Sequence, residues 1–230
     1  MHVHVAFTPS EEAAAHIGIV VDVIRATSSI AQALASGYER VLCCAEIDEA
    51  RALRAELGDE AVVGGERNAV VIDGFDTGAS PRQFAAGAKA RTLILTTTNG
   101  TRAILTAASR CDVVFLGSLL NLSALAGRVR REGGDVAIVC SGFMGAFALD
   151  DAYCAGRIVQ ALDGEDSDAA IAARVVAERW PDALEGLNAR TYGPPGLEAD
   201  IEYCAQVDYL DVVPRFIRMI GTAAEIRSDA

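Results

Sequence analysis

Ile17-Gly18-Ile19-Val20-Val21 runs apolar for five residues and stops abruptly at Asp22. Small and polar residues follow, Arg25-Ala26-Thr27-Ser28-Ser29, and then Ile30 to Ser36, closed by Gly37. A run this short cannot fill a helix, and its flanks are those of a buried strand. Thr27, Ser28 and Ser29 have N-cap chemistry for the segment after them, and Gly37 suits a helix stop. An acid and an arginine therefore stand where a strand gives way to a helix. In open α/β sheets that carboxyl end is where ligands bind. Taken alone, the turn reads equally well as a capped strand-to-helix connection in which Asp22 and Arg25 pair with each other.

The pattern recurs along the chain. Short apolar runs at 40–44, 61–63, 92–95, 113–116 and 136–140 read as strands, several of them followed by helical periodicity. Ile47, Ala50, Leu53 and Leu57 form one helical face ended by Gly58, and Ser80-Pro81 has Ncap and N1 chemistry. Residues 1–7 alternate as a first strand with His2 and His4 on one face, most simply an exposed or edge strand. Ala169 to Trp180 reads as a helix, Thr191 to Gly196 as a turn cluster and Ile201 to Cys204 as helical. Val212-Val213 and Phe216 to Ile220 are expected to close the sheet. The chain is 51% hydrophobic but only 6% aromatic, so its core should be aliphatic. One three-layer α/β/α domain spanning 1–230, with a mainly parallel or mixed central sheet, is the expected fold; strand order is not legible.

A net charge of −12 argues against nucleic acid as a partner, because phosphate contacts need clustered cations. No segment approaches the roughly 18 consecutive apolar residues of a membrane span, and residues 1–7 lack the charged region of a signal peptide. The six cysteines form no CxxC pair and have no zinc spacing. A reduced, cytoplasmic protein is the expectation.

At least four strand ends carry Gly, Ser, Thr or Asn before a helix: 25–29, 96–101, 117–121 and 140–145. Small residues let backbone approach an anion, hydroxyls donate to it, and helix N-termini aim free N–H groups at it. Arg25, Arg67 and Arg102 lie in such loops and can fork onto a phosphate or carboxylate. Asp22, Glu66, Asp73, Asp76, Asp150 and Asp151 lie in or beside the same loops and suit Mg²⁺, which takes one or two carboxylates and keeps its waters for a phosphate. For Asp150 and Asp151 the competing role is compensation of a helix dipole.

Several standard sites are absent. Lys89 is the only lysine, and no GxxxxGK[ST] occurs. Asp22-Val23-Ile24 lacks the second acid of a DxD nucleophile motif, and Cys140 is followed six residues later by Ala146, not arginine. All three histidines precede residue 17, which disfavours a Ser-His-Asp triad, and no GxGxxG follows a strand.

The strings themselves resemble a known family. Asp22-Val23-Ile24-Arg25-Ala26-Thr27-Ser28, Gly64-Gly65-Glu66-Arg67, Gly74-Phe75-Asp76 with Ser80-Pro81, and Thr96 to Arg102 (TTTNGTR) are similar to those of the 2-phosphosulfolactate phosphatase (ComB) family. Gly117-Ser118-Leu119-Leu120-Asn121, Cys140-Ser141-Gly142, Asp151 to Gly156 and Asp200 to Cys204 continue the likeness in order over nearly the whole chain. Ala79 and Asp150 depart from the pattern, which usually has Asn and Glu there. The resemblance implies an α/β, Mg²⁺-dependent phosphatase that acts on a phosphorylated sulfonated hydroxy acid on the way to coenzyme M. It leaves a homodimer open.

Carried across by position, the resemblance makes Asp22 and Glu66 metal carboxylates, with Asp151 a weaker third, and gives catalytic roles to Asp22, Arg25, Glu66 and Arg67. Thr97, Thr98, Asn99, Gly100, Ser118, Ser141, Gly142 and Asp76 fall among the substrate contacts, with Arg25 and Arg67 gripping its anionic groups. The competing readings are a phosphatase for a different phosphorylated carboxylic acid, and a module that binds an anionic metabolite without turning it over.

Overall fold

The computed structural model describes residues 1–229. Strands β1 (His2–Ala6), β2 (Ile17–Val21), β3 (Arg40–Cys43), β4 (Ala61–Arg67), β5 (Val70–Val71), β6 (Thr92–Thr96), β7 (Val113–Gly117), β8 (Val136–Cys140), β9 (Glu165–Asp166), β10 (Val213–Ile220) and β11 (Ala223–Asp229) form one sheet. Its order is β5-β4-β6-β3-β11-β10-β7-β2-β8-β1-β9. The helices are α1 (Ala26–Ala35), α2 (Ile47–Leu57), α3 (Pro81–Phe84), α4 (Gly100–Ala108), α5 (Leu122–Glu132), α6 (Leu149–Leu162), α7 (Asp168–Arg179), α8 (Ala183–Asn188) and α9 (Glu198–Cys204).

The period-2 geometry of the strands sorts their side chains into two cores. Ile17, Ile19 and Val21 of β2, Phe115 of β7 and Ile138 of β8 pack with Leu125 of α5, Ile158 of α6, Ala173 of α7 and Leu187 of α8. The alternate residues Val20, Val114, Leu116 and Val139 face the other way and pack with Ile30 of α1, Phe84 of α3 and Ile104 of α4. At the far end Leu42, Val63 and Ile94 pack with Ala50 of α2. Both faces of the parallel strands β2, β6, β7 and β8 are thus covered, and these read as unbroken apolar runs because neither face meets water, whereas β10 runs out into exposed residues.

Two parallel blocks, β4-β6-β3 and β7-β2-β8-β1, are joined by the antiparallel β10–β11 hairpin. β10 pairs with β7 through Arg215 and Phe115, and β11 pairs with β3 from Ala224 to Ile226. The segment expected to close the sheet lies at its middle instead. β1 is also no edge strand: it lies between β8 and β9, parallel to both. All six cysteines are free and five are buried. Among the described residues no helix is long and apolar enough to cross a membrane.

Candidate active site

The carboxyl ends of β2, β4, β6 and β8 open onto one cleft of about 640 Å³, its mouth included. Asp22 follows β2, Glu66 is near the end of β4, Thr97 to Asn99 follow β6, and Ser141 and Gly142 follow β8. The loop after β6 delivers α4 onto β2 and β7, so the two parallel blocks meet there although the hairpin separates them in the sheet. Gly100 makes that approach possible: a Cβ on it would stand 2.4 Å from Ala26 Cβ and 2.7 Å from Asp22 Oδ2.

The turn after β2 is capped differently from expectation. α1 begins at Ala26, whose N–H donates to Asp22 Oδ1 at 3.1 Å, so the acid caps the helix. Thr27, Ser28 and Ser29 lie inside the first turn and donate to Asp22 O, Val23 O and Ala79 O at 2.9, 2.8 and 2.7 Å. Arg25 does not pair with Asp22. Its Nη1 donates to Asp200 Oδ2 at 2.5 Å, with both side chains nine-tenths buried. Ser80, just before α3, gives Asp200 Oδ1 a second bond at 2.6 Å. Asp200 on α9 therefore ties the β2 turn to α3 and aims Arg25 along the cleft wall.

Four carboxylates line the cleft, Asp22, Glu66, Asp150 and Asp151, against two guanidiniums, Arg25 and Arg190. Glu66 Oε1 accepts from the Thr98 N–H and hydroxyl at 2.8 and 3.0 Å, and Oε2 from the Ala69 N–H at 2.6 Å. Asp151 Oδ1 accepts from the Val23 N–H at 2.9 Å, while Oδ2 accepts from the Ser141 hydroxyl at 2.9 Å and the Gly142 N–H at 3.1 Å. Asp151 thereby joins the turns after β2 and β8. Asp150 accepts from the Tyr192 hydroxyl and its neighbour's N–H, and lies 3.7 Å from Arg190.

Burial, with the charges of Asp150 and Glu66 adding to it, pushes the Asp22 carboxyl up to about 6 against the Ala26 bond. Burial also holds Asp151 well above the ordinary carboxylate range, with Asp150 and Asp22 adding to the effect. Asp150 is raised by burial in spite of Tyr192 and Arg190, and burial with the Asp150 charge raises the Tyr192 phenol. This end of the cleft carries more buried negative charge than its own cations balance.

That imbalance bears on a metal. Among the described residues no group of three or more His, Cys, Asp or Glu is set to hold an ion. A site built from one or two carboxylates and water needs no such group. No protein donor makes a hydrogen bond to Asp22 Oδ2 among the described residues, although the Ser141 hydroxyl lies near enough to favour the charged form. Glu66 Oε2 and Asp151 Oδ1 each accept a single bond, which leaves each a lone pair. The donor set, all hard oxygen, fits Mg²⁺.

Other expected residues lie elsewhere. Arg67 is bonded to Glu66 O, Ala45 O and the Thr96 hydroxyl, and faces an outer groove beyond the 97–99 loop, beside Arg102. Ser118 is fully buried and shares its hydroxyl and N–H with Asn121 Oδ1 in a capping box. Asp76 accepts from the Val63 N–H at 2.9 Å and lies 3.5 Å from Arg54, outside the cleft. Tyr192, inside the Thr191–Gly196 turn cluster, and Arg190 and Leu197, which flank it, wall the cleft from the connection between α8 and α9, a role that sequence reasoning did not give them. The one hint was an arginine and a tyrosine beside a Gly-Pro-Pro-Gly turn.

The sequence profile described as 2-phosphosulpholactate phosphatase matches residues 4–218. A protein of Symbiobacterium thermophilum named "Probable 2-phosphosulfolactate phosphatase" is 37% identical over 220 residues, 90% of this chain and 94% of its own length. Proteins with the same name are 37% identical in Clostridium novyi, over 86% of this chain and 88% of that protein's own length, and 36% identical in Pseudothermotoga lettingae, over 94% of this chain and 96% of that protein's. With the profile spanning nearly the whole chain and the matches running through every strand end that lines the cleft, this protein belongs to the 2-phosphosulpholactate phosphatase family.

Proposed function

We propose that this chain is a phosphoric monoester hydrolase that converts 2-phosphosulfolactate to sulfolactate and inorganic phosphate, with Mg²⁺ as its cation. The observation that carries the reading is the meeting of Asp22, Glu66 and Arg25 in one buried cleft. Asp22 and Glu66, with Asp151 as a third carboxylate, would hold the cation. When bound it would supply positive charge for the phosphoryl oxygens and offset the surplus of buried acids.

The chain's own groups do the rest by position and charge, which is most of what phosphoryl transfer requires. Arg25, fixed through one nitrogen by Asp200, has further N–H donors for an oxyanion. The Thr98 and Asn99 turn and the first turn of α4 bring polar groups and a positive helix end to the same point. Ile24, Ala79, Ala148 and Leu197 supply the apolar part of the wall, which limits the water that reaches the ester. Six free thiols support a reducing, cytoplasmic setting.

The test is phosphate release from 2-phosphosulfolactate and from a panel of small phosphorylated carboxylic acids, with Mg²⁺ and with excess EDTA. The expected result is turnover that needs the metal, is fastest on 2-phosphosulfolactate, and is lost in Asp22→Asn. Full activity in EDTA would remove the metal from the mechanism. Tight binding of the phosphorylated acid without any phosphate release would identify a binding module instead.

A further inference from the structure

Arg190 is the second cation of the cleft, and its state differs from that of Arg25. Its side chain is nine-tenths buried, yet it donates no hydrogen bond among the described residues. Its nearest acid, Asp150 Oδ2, is 3.7 Å away, beyond hydrogen-bond reach. Asp150 is meanwhile occupied on Oδ1 by the Tyr192 hydroxyl and the Asp151 N–H. No Arg190 nitrogen is sealed from solvent without a partner, so its donors are open to solvent while the rest of the side chain is buried. Arg190 lines the cleft, which is therefore a space where an anion can reach those donors.

The segment that carries Arg190 is held in place from two sides. Tyr192 is bonded to Asp150 and stacks on Phe143, with ring centroids 4.9 Å apart and planes 28° from parallel. Leu197, at the far end, is buried against the cleft. Arg190 thus sits on a strap fastened to the turn after β8 through Phe143 and to the first turn of α6 through Asp150. Arg25 comes from the β2 turn, beside Asp22.

We propose that Arg190 binds the second acidic group of the substrate, the sulfonate or carboxylate remote from the ester, and so selects phosphorylated di- and tri-acids over plain phosphate monoesters. This rests on the phosphatase reading above for the identity of the substrate, but not for the existence of the anion site. A phosphorylated sulfonated hydroxy acid carries at least two anionic groups beyond its phosphoryl, and one arginine cannot fork onto all of them. Asp150 holds Arg190 loosely enough for a ligand anion to replace it as partner.

The experiment compares the wild type with Arg190→Ala, Arg190→Gln and Arg190→Lys. Two substrates are used, 2-phosphosulfolactate and p-nitrophenyl phosphate, which has no second acidic group. Equilibrium binding of sulfolactate is measured by calorimetry, and thermal melts show that each variant is folded. For Arg190→Ala and Arg190→Gln, KM for 2-phosphosulfolactate should rise at least tenfold with a smaller change in kcat, while kcat/KM for p-nitrophenyl phosphate stays within about twofold. Sulfolactate affinity should fall at least tenfold, and Arg190→Lys should recover part of it. Equal losses on both substrates would place Arg190 at the phosphoryl group and overturn the proposal, as would unchanged sulfolactate affinity. If the wild type hydrolyses neither compound, the phosphatase reading fails by itself. Sulfolactate binding then decides the anion site, and an absence of binding to the wild type counts against it.

Discussion

Asp22 is a carboxyl that the fold makes expensive to ionise. Its folded pKa of about 6 lies above the ordinary 3.8, so the folded state keeps a proton that the unfolded chain has released. The resulting stabilisation is complete below about pH 4 and is lost as pH rises through 6, a cost of about 3 kcal/mol once the group is fully charged. In EDTA, Asp22→Asn should therefore melt several degrees above the wild type at pH 7.5 and much closer to it at pH 4.5. Added Mg²⁺ should raise the melting temperature of the wild type and leave the variant nearly unmoved. Melts followed by circular dichroism at the two pH values check this; a less stable variant at pH 7.5 in EDTA would show that the charged carboxylate is a net asset without metal. Asp200 invites a second test. Removing one member of a buried pair leaves the other uncompensated, typically at about 3–5 kcal/mol. Asp200→Asn should lower both stability and kcat/KM at least tenfold, and Arg25→Ala should do the same. The double variant should be little worse than either, since both changes release one contact. Additive losses would mean that Asp200 does not act through Arg25. The exposed Arg51 serves as a control whose replacement by Ala leaves turnover unchanged.

At the scale of elements, close approach decides which helices can share the site. α4 reaches the β2 turn only because Gly100 has no Cβ, so Gly100→Ala must push the α4 N-terminus away from Ala26 and Asp22. The expected cost is about 1–3 kcal/mol of stability and at least a tenfold loss of turnover, because the displaced element carries the loop that lines the cleft. Gly156 has a different task. A Cβ there would stand 2.0 Å from Ala173 O, so the backbones of α6 and α7 touch. Gly156→Ala should depress the melting temperature further than Gly100→Ala does, while KM in whatever folds changes little. Thermal melts paired with steady-state kinetics on both variants separate the two effects, and the opposite ranking would contradict the contact geometry.

For the whole molecule, the β10–β11 hairpin is the piece on which the sheet depends. It pairs with β7 on one side and β3 on the other, so removing it leaves two exposed strand edges and splits the sheet into its parallel blocks. Truncation after Val212 should therefore abolish cooperative unfolding, although it removes no residue of the cleft. A truncated chain that still melts in one sharp transition would show that the blocks are held by α1, α4 and the 97–99 loop alone. The cleft sits where these blocks converge, so stability of the hairpin and competence of the site should rise and fall together.

Periodicity and turn chemistry act over a few residues, and they were enough to locate the strands around Ile17–Val21, Thr92–Thr96 and Val136–Cys140, the loops after them, and the placing of Asp22, Glu66, Asn99 and Ser141 at strand ends. They also carried the family likeness, because those local strings are what its members share. Pairing between distant segments leaves no comparable local trace. The sequence around Val213–Ile220 and Ala223–Asp229 suits a strand at any position, and only tertiary packing inserts it between β7 and β3. Pairing of Arg25 with the acid three residues before it was one of two readings of that turn; the fold instead brought Asp200, 175 residues away, within 2.5 Å of Arg25. Ser118 and Asp76 had the chemistry of site residues, but helix capping and a strand N–H claimed them. Tyr192 stood in a stretch read only as a turn, with Arg190 just before it, and a long connection between α8 and α9 carried them to the cleft. Local propensity sets what a residue can do, whereas the partner it meets depends on long-range burial and pairing, which no short window of sequence contains.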